Sequence, residues 1–379
     1  MALTSIPTAA GREHRVIRWV DDWIKARKNL TLRRDRYGNM LISRKGVKRT
    51  SRPLLFTAHL DHPAFVITKV VDGRTLEAEF RGGVRPPYFP KARVVVYDHT
   101  EATHRGTIAL HATGKIFDHV VIRLAKATNT IAAHDIAMWD LNAARVTKGL
   151  MQAPACDDLA GVAAALSAMD VLRAARSAGD VRVLLTRAEE VGFIGAIAAC
   201  RTGLIPRRSK VIALENSRSF PDSPIGSGPI VRVGDRISVF HHGLTFEVSK
   251  IAMGLEKVRK GFKWQRKLMA GGACEATTFQ AFGYEAVCLC LPLGNYHNMA
   301  NLAAVIEGKT GAKAAIGPEF VAVADFHGLV ELLVECGRVL TKPRRTGDDS
   351  ADGASAIRRM MEKIERTKGY VLEEAASKI

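Results

Sequence analysis

The chain has 379 residues, 47% of them hydrophobic and 25% charged, a globular composition that excludes wholesale disorder and, at roughly 100–200 residues per domain, fits two domains. No apolar run reaches the ~18 residues of a membrane-spanning helix, and the N-terminal stretch turns charged before a signal core forms, so a cytoplasmic location is expected. Lys and Arg number 56 against 38 Asp and Glu, a net charge of +18, but the basic residues sit in short separate groups without interleaved aromatics, so nucleic acid is not an expected partner.

Residues 12–29 place Val16, Ile17, Val20, Trp23 and Ile24 at helical spacing. Residues 30–43 read as a hairpin turning at Tyr37-Gly38-Asn39. Leu54 to Thr57 is a continuous apolar run, as in a buried strand, and it leads into His59-Leu60-Asp61. From about residue 66 to 149 the segments are short and β-rich, with Gly, Pro or Asp between them. Beyond Cys156 helix and strand alternate: a helix from Asp157 closed by Gly179, a strand at 181–186, a turn and helix after Glu189, a strand at 210–216, a helix from near Glu275, a strand at 286–293 and an amphipathic helix at 325–340. The charged tail 341–379 has helical potential from about 354. The expected fold class is α/β: a hydrolase-like three-layer α/β/α catalytic domain (1–68 plus 150–340) with a small β-barrel inserted at 69–149. The six cysteines include no C-x-x-C pair and read as reduced core residues.

Five polar clusters interrupt apolar surroundings at strand ends or helix starts: His59-Leu60-Asp61, Asp157-Asp158, Glu189-Glu190, Glu215 and His297. Each alone has a plain structural explanation. A His beside an Asp is commonly a hydrogen-bonded pair, and paired acids at a helix start are commonly caps. Together they put many carboxylates in buried surroundings, at several kcal/mol each unless neutralised. Cations would neutralise them, and imidazole plus carboxylate without thiolate suits Zn²⁺, Co²⁺ or Mn²⁺ in a hydrolytic site.

In their order along the chain these groups resemble those of the co-catalytic metallopeptidases, in particular the tetrahedral (TET) or glutamyl aminopeptidases, formerly described as endoglucanases. The family's H-x-D resembles His59-Leu60-Asp61, its D-D-x-x-G resembles Asp157-Asp158 with Gly161, and its E-E-V-G-x-x-G-A is matched from Glu189 to Ala196. The upstream D-x-Y-G-N is similar to Asp35–Asn39. The resemblance implies two divalent ions per subunit, zinc foremost, with His59 and Glu215 on one, Glu190 and His297 on the other, and Asp157 bridging. It implies Glu189 as general base, Asp61 orienting His59, and Asp158 following a peptide bond that is strained or cis. Around the substrate pocket the chain departs from the family: His62 stands where Glu is usual, Leu159 where Arg is usual, Glu215 where Asp is frequent, and the final ligand sits in Gly294-Asn295-Tyr296-His297. Glu275, His62 and Asn295 are the candidates for substrate contact. The implied activity is removal of N-terminal residues from short peptides by a homo-oligomer, a dimer or a dodecamer of dimers, with the β-rich insertion as dimerisation domain. An amidohydrolase of the same superfamily would use the same site. A non-catalytic basic scaffold or nucleic-acid binder would not need it.

Overall fold

The computed structural model describes residues 1–174, 178–342 and 353–368. Helix α1 (His14–Lys25) buries Val16, Val20 and Ile24 along one stripe. Strands β1 (Leu30–Arg34) and β2 (Met40–Arg44) form the hairpin, and β3 (Leu54–His59) is buried along its whole length. Strands β4 (Ala64–Asp72), β5 (Thr75–Arg81), β6 (Arg93–Tyr97), β7 (Thr103–Ala112), β8 (Asp118–Leu124) and β9 (Ile136–Trp139) close a barrel in the order β4-β5-β8-β7-β6-β9. The short strands β10 (Arg145–Thr147) and β11 (Leu150–Ala153) lead back to the larger unit. There follow α2 (Leu159–Ala174), β12 (Val181–Thr186), α3 (Ile194–Arg201), β13 (Lys210–Arg218), β14 (Ile230–Asp235), α4 (His242–Val258), β15 (Gln265–Met269), α5 (Glu275–Ala281) and β16 (Glu285–Leu293). The two-residue strands β17 (Met299–Ala300) and β18 (Ala315–Ile316) flank α6 (Leu302–Ile306); β19 (Glu319–Ala322), α7 (Val323–Leu340) and α8 (Gly353–Lys368) end the chain's described elements.

The larger unit is a mixed sheet of eight strands, β1-β2-β12-β3-β13-β16-β14-β15, in which β12, β3, β13 and β16 run parallel. Side chains alternate across these strands and meet two separate cores. Leu54, Phe56, Val183 and Leu185 join the core covered by α1, α2, α4 and α7. Leu55 and Leu184 join the one covered by α3 and α5. Burial on both faces is why these strands read as continuous apolar runs. The architecture is therefore the expected three layers plus a small barrel. Helix α4 and strands β14 and β15 complete it, although the sequence reading did not pick them out; α4 buries Leu244, Val248, Ile251 and Ala252 at helical spacing. No described helix is long and apolar enough to cross a membrane.

The barrel has its own aromatic core. The Phe65 ring lies 4.8 Å from Phe80, 4.9 Å from Trp139 and 6.2 Å from Phe89, all edge-on, the arrangement ring quadrupoles favour. Phe65→Ala is expected to cost about 3–5 kcal/mol of stability, read as a lower midpoint in chemical denaturation.

Candidate metal centre

The parallel strands deliver the site at their carboxyl ends, where crossovers leave a crevice. His59 is the last residue of β3, and Glu189 and Glu190 follow β12. Glu215 lies in β13, His297 follows β16, and Asp157 precedes α2. His59 Nε2 is 3.5 Å from Asp157 Oδ1, 3.9 Å from Glu215 Oε1 and 3.9 Å from Glu189 Oε2. His297 Nε2 is 3.5 Å from Asp157 Oδ2 and 3.6 Å from Glu190 Oε2. Two ligand sets thus share one carboxylate: His59, Asp157 and Glu215, and Asp157, Glu190 and His297, with donor atoms inside each set within 4.8 Å of one another.

The donors fit divalent cations. Asp157 Oδ1 and Glu190 Oε1 are buried without a hydrogen-bond partner, a costly condition unless a cation completes them. Burial pushes the Glu190 carboxyl up to about 8 and Glu215 up to about 7. Burial alone would depress His297, but Glu190 and Asp157 raise it to about 10. The imidazolium partners in turn hold Asp157 below the usual carboxylate range despite its burial. Protons here occupy the electrostatic role of metal charge, and the nitrogen–oxygen donor set without thiolate suits Zn²⁺, Co²⁺ or Mn²⁺.

The supporting residues explain the motifs. Asp61 accepts the backbone N–H groups of Glu189 and Glu190, each at 3.0 Å, and so aims both side chains. Its backbone carbonyl lies 3.1 Å from His59 Nδ1, nearer than its carboxylate at 3.5 Å. The Asp157–Asp158 peptide bond is cis. Asn216 donates to Asp158 Oδ1 at 2.7 Å. A Cβ on residue 161 would lie 2.2 Å from that same oxygen, which accounts for the glycine in D-D-x-x-G. In E-E-V-G-x-x-G-A, Gly192 has φ +109°, and a Cβ on Gly195 would sit 2.2 Å from the Arg187 carbonyl. Asn39 of the hairpin turn clamps this loop. Its Oδ1 accepts from the Arg187 backbone N–H, and its amide donates to the Gly195 carbonyl.

The three side chains expected to meet substrate adjoin the site without lining its cavity. A cavity of about 270 Å³ opens onto Asp157, Glu189, Glu190, Glu215 and His297, and neither Glu275, His62 nor Asn295 lines it. Glu275 is buried and accepts from Thr57 of β3 at 3.2 Å. Burial raises its carboxyl to about 7. His62 Nδ1 lies 2.6 Å from the Asp157 carbonyl, and burial pushes its imidazole down to about 4. Asn295 donates to the Pro318 carbonyl.

Sequence reasoning missed several contributors. The buried Glu319 accepts the backbone N–H groups of Cys156 at 2.7 Å, Asp157 at 3.0 Å and His297 at 2.8 Å, tying both ligand loops to one carboxylate. An acid opening the short apolar strand at 319–322 was its only signal. The Gly83 carbonyl, from the barrel, lies 2.7 Å from His297 Nδ1. This contact orients the imidazole of a candidate ligand through its second nitrogen. Arg85, Arg218 and Arg232 line the cavity with Phe220, Met269 and Tyr296.

A sequence model of the M42 glutamyl aminopeptidase family matches residues 38–309. In three dimensions the chain is similar to an aminopeptidase from the archaeon Desulfurococcus kamchatkensis, with 23% identity, 90% of this chain and 93% of that one covered, and a TM-score of 0.72. It is similar to the Pyrococcus horikoshii TET1 peptidase, which can assemble into a tetrahedron or a large octahedral shell, with 22% identity, coverage of 89% and 97%, and a TM-score of 0.71. It is also similar to a Thermotoga maritima protein described as an endoglucanase, with 17% identity, coverage of 89% and 95%, and a TM-score of 0.63. At these identities the likeness is one of fold. No curated protein matches the chain in sequence.

Burial favours the protonated form of Glu190 and the neighbouring carboxylates favour that of His297, so metal uptake competes with protons. Zinc titrated into metal-free protein at pH 7 is expected to release protons, and its affinity to rise with pH. Calorimetry in two buffers of different ionisation enthalpy measures both.

Proposed function

This chain belongs to the M42 glutamyl aminopeptidase family and is a metal-dependent aminopeptidase, and on that premise we propose a dinuclear centre that removes N-terminal residues from short peptides. His59 and Glu215 would hold one divalent ion and Glu190 and His297 the other, with Asp157 available to both. Zinc is the proposed metal, and cobalt or manganese would suit the same donors. The observation that carries the reading is the divided Asp157 carboxylate, each oxygen 3.5 Å from a different imidazole. When bound, such a pair of ions polarises the scissile carbonyl and makes a water acidic enough to attack it.

The chain's own residues do the rest. Glu189 is buried beside the ligands; burial and the neighbouring carboxylates raise its pKa in the metal-free protein, and bound divalent ions would favour the ionised carboxylate that can accept a proton. We assign it the proton acceptor, taking the proton of the attacking water and returning it to the leaving amine. Asp61 acts as a positioning residue through the backbone of Glu189 and Glu190. Glu275 supports β3, His62 supports Asp157, and Asn295 supports the loop that carries His297. Arg232 is 3% exposed and has no carboxylate partner among the described residues. It donates to the Ser217 hydroxyl and the Gly234 and Gly272 carbonyls at 3.2–3.4 Å. We propose that an acidic N-terminal side chain of the substrate pairs with it. We further propose that the chain acts in the cytoplasm as a homo-oligomer that associates through its barrel.

Glu189→Gln is expected to lower kcat by about 10²–10⁴-fold while both ions stay bound, measured by kinetics with metal analysis; unchanged kcat removes Glu189 from this role. Chelation should abolish activity and added metal restore it, and blocking the substrate's α-amine should abolish it too. Glu and Asp anilides are expected to be cleaved faster than Leu or Lys anilides. Arg232→Met should reverse that order, and slower acidic substrates with the native enzyme would refute the preference.

A further inference from the structure

The barrel carries a second cavity of about 790 Å³ that shares no lining residue with the catalytic one. Strand pairing sets its floor. Arg93 of β6 pairs with Thr107 of β7, and Thr107 pairs with Arg123 of β8. These three residues therefore form one row across three strands. Neighbouring strands lie about 4.8 Å apart, which separates the two arginine Cα atoms by roughly 10 Å. Arg105 lies two residues before Thr107 on the same strand and so on the same face. Arg145 lines the cavity from β10.

Four guanidinium groups thus surround one cavity with a single carboxylate, Asp140, in its lining. Asp140 Oδ2 is 3.8 Å from both Arg93 and Arg105, too long for a hydrogen bond. Arg123 donates to Thr75, and Arg145 donates to Gln152. Each guanidinium has five N–H donors, so these partners fill a minority of them. Like charges on adjacent strands repel, and the arrangement costs stability unless an anion enters. In the single chain the side chains of Arg93 and Arg105 are 77% and 79% exposed.

We propose that this face binds a compact oligophosphate anion. Guanidinium forks match phosphoryl oxygens two at a time, and a row of arginines roughly 10 Å long suits successive phosphoryl groups.

Tripolyphosphate titrated calorimetrically into the metal-loaded protein tests the inference. Binding should weaken as salt rises, and Arg105→Gln/Arg123→Gln should reduce affinity by at least roughly tenfold, each lost charged hydrogen bond counting for about that factor or more. Arg259→Gln, an exposed position outside the cavity, should leave it unchanged. Peptidase activity without tripolyphosphate should be the same in all three proteins. Equal affinity in native and double-variant protein would place the anion elsewhere and overturn the inference, as would no binding at low salt. Citrate binding as tightly as tripolyphosphate would overturn the phosphoryl assignment. Mass photometry covers the remaining alternative: a double variant that dissociates yet keeps its tripolyphosphate affinity would make this face a subunit contact instead.

Discussion

One carboxylate has to serve two imidazoles. Asp157 sits between His59 and His297, which are 238 residues apart in the chain, and each of its oxygens faces one of them at 3.5 Å. Around this divided group lie the buried Glu189 and Glu215 and the side chain of Glu190, 6% exposed. Negative charge so concentrated and so dry is tolerated only with compensating positive charge. Protonated imidazoles supply some of it in the bare protein. Divalent ions supply it better, because they also complete oxygen atoms that no N–H reaches.

That demand explains how much of the surrounding structure serves as scaffold. Glu319 gathers the backbones of Cys156, Asp157 and His297. Asp61 gathers those of Glu189 and Glu190. Both use a carboxylate to accept backbone N–H groups, so the ligand side chains remain free to face inward. Gly161 and Gly195 allow approaches that any Cβ would block. The candidate ligands are few, and rigidity in the shell around them sets their geometry.

The barrel is more than an appendage. Its Gly83 carbonyl meets the ring nitrogen of His297, and its Arg85 reaches the catalytic cavity. A shift of the barrel against the α/β unit would therefore be felt directly at His297, one of the candidate ligands. Its outer face, with arginines on adjacent strands, is chemically unlike the carboxylate-rich catalytic cleft.

Much of this is legible in the sequence. Helix α1, the Asp35–Asn39 hairpin, the buried strands β3, β12, β13 and β16, and helix α7 all follow from apolar periodicity, because burial on one or two faces leaves a mark in the order of residues. The residue types of the candidate ligands, and the glycines beside them, were legible for the same local reason. Other features were decided by the tertiary structure alone: which Asp157 oxygen meets which histidine, that Glu319 and Gly83 hold the ligands, and that Glu275 and His62 stand behind the cavity instead of in it. The row of Arg93, Thr107 and Arg123 likewise exists only through register across three strands. Local sequence sets what each segment becomes, whereas contacts between residues such as 83 and 297 depend on where the crossovers bring the chain back, and no short window of residues encodes that distance.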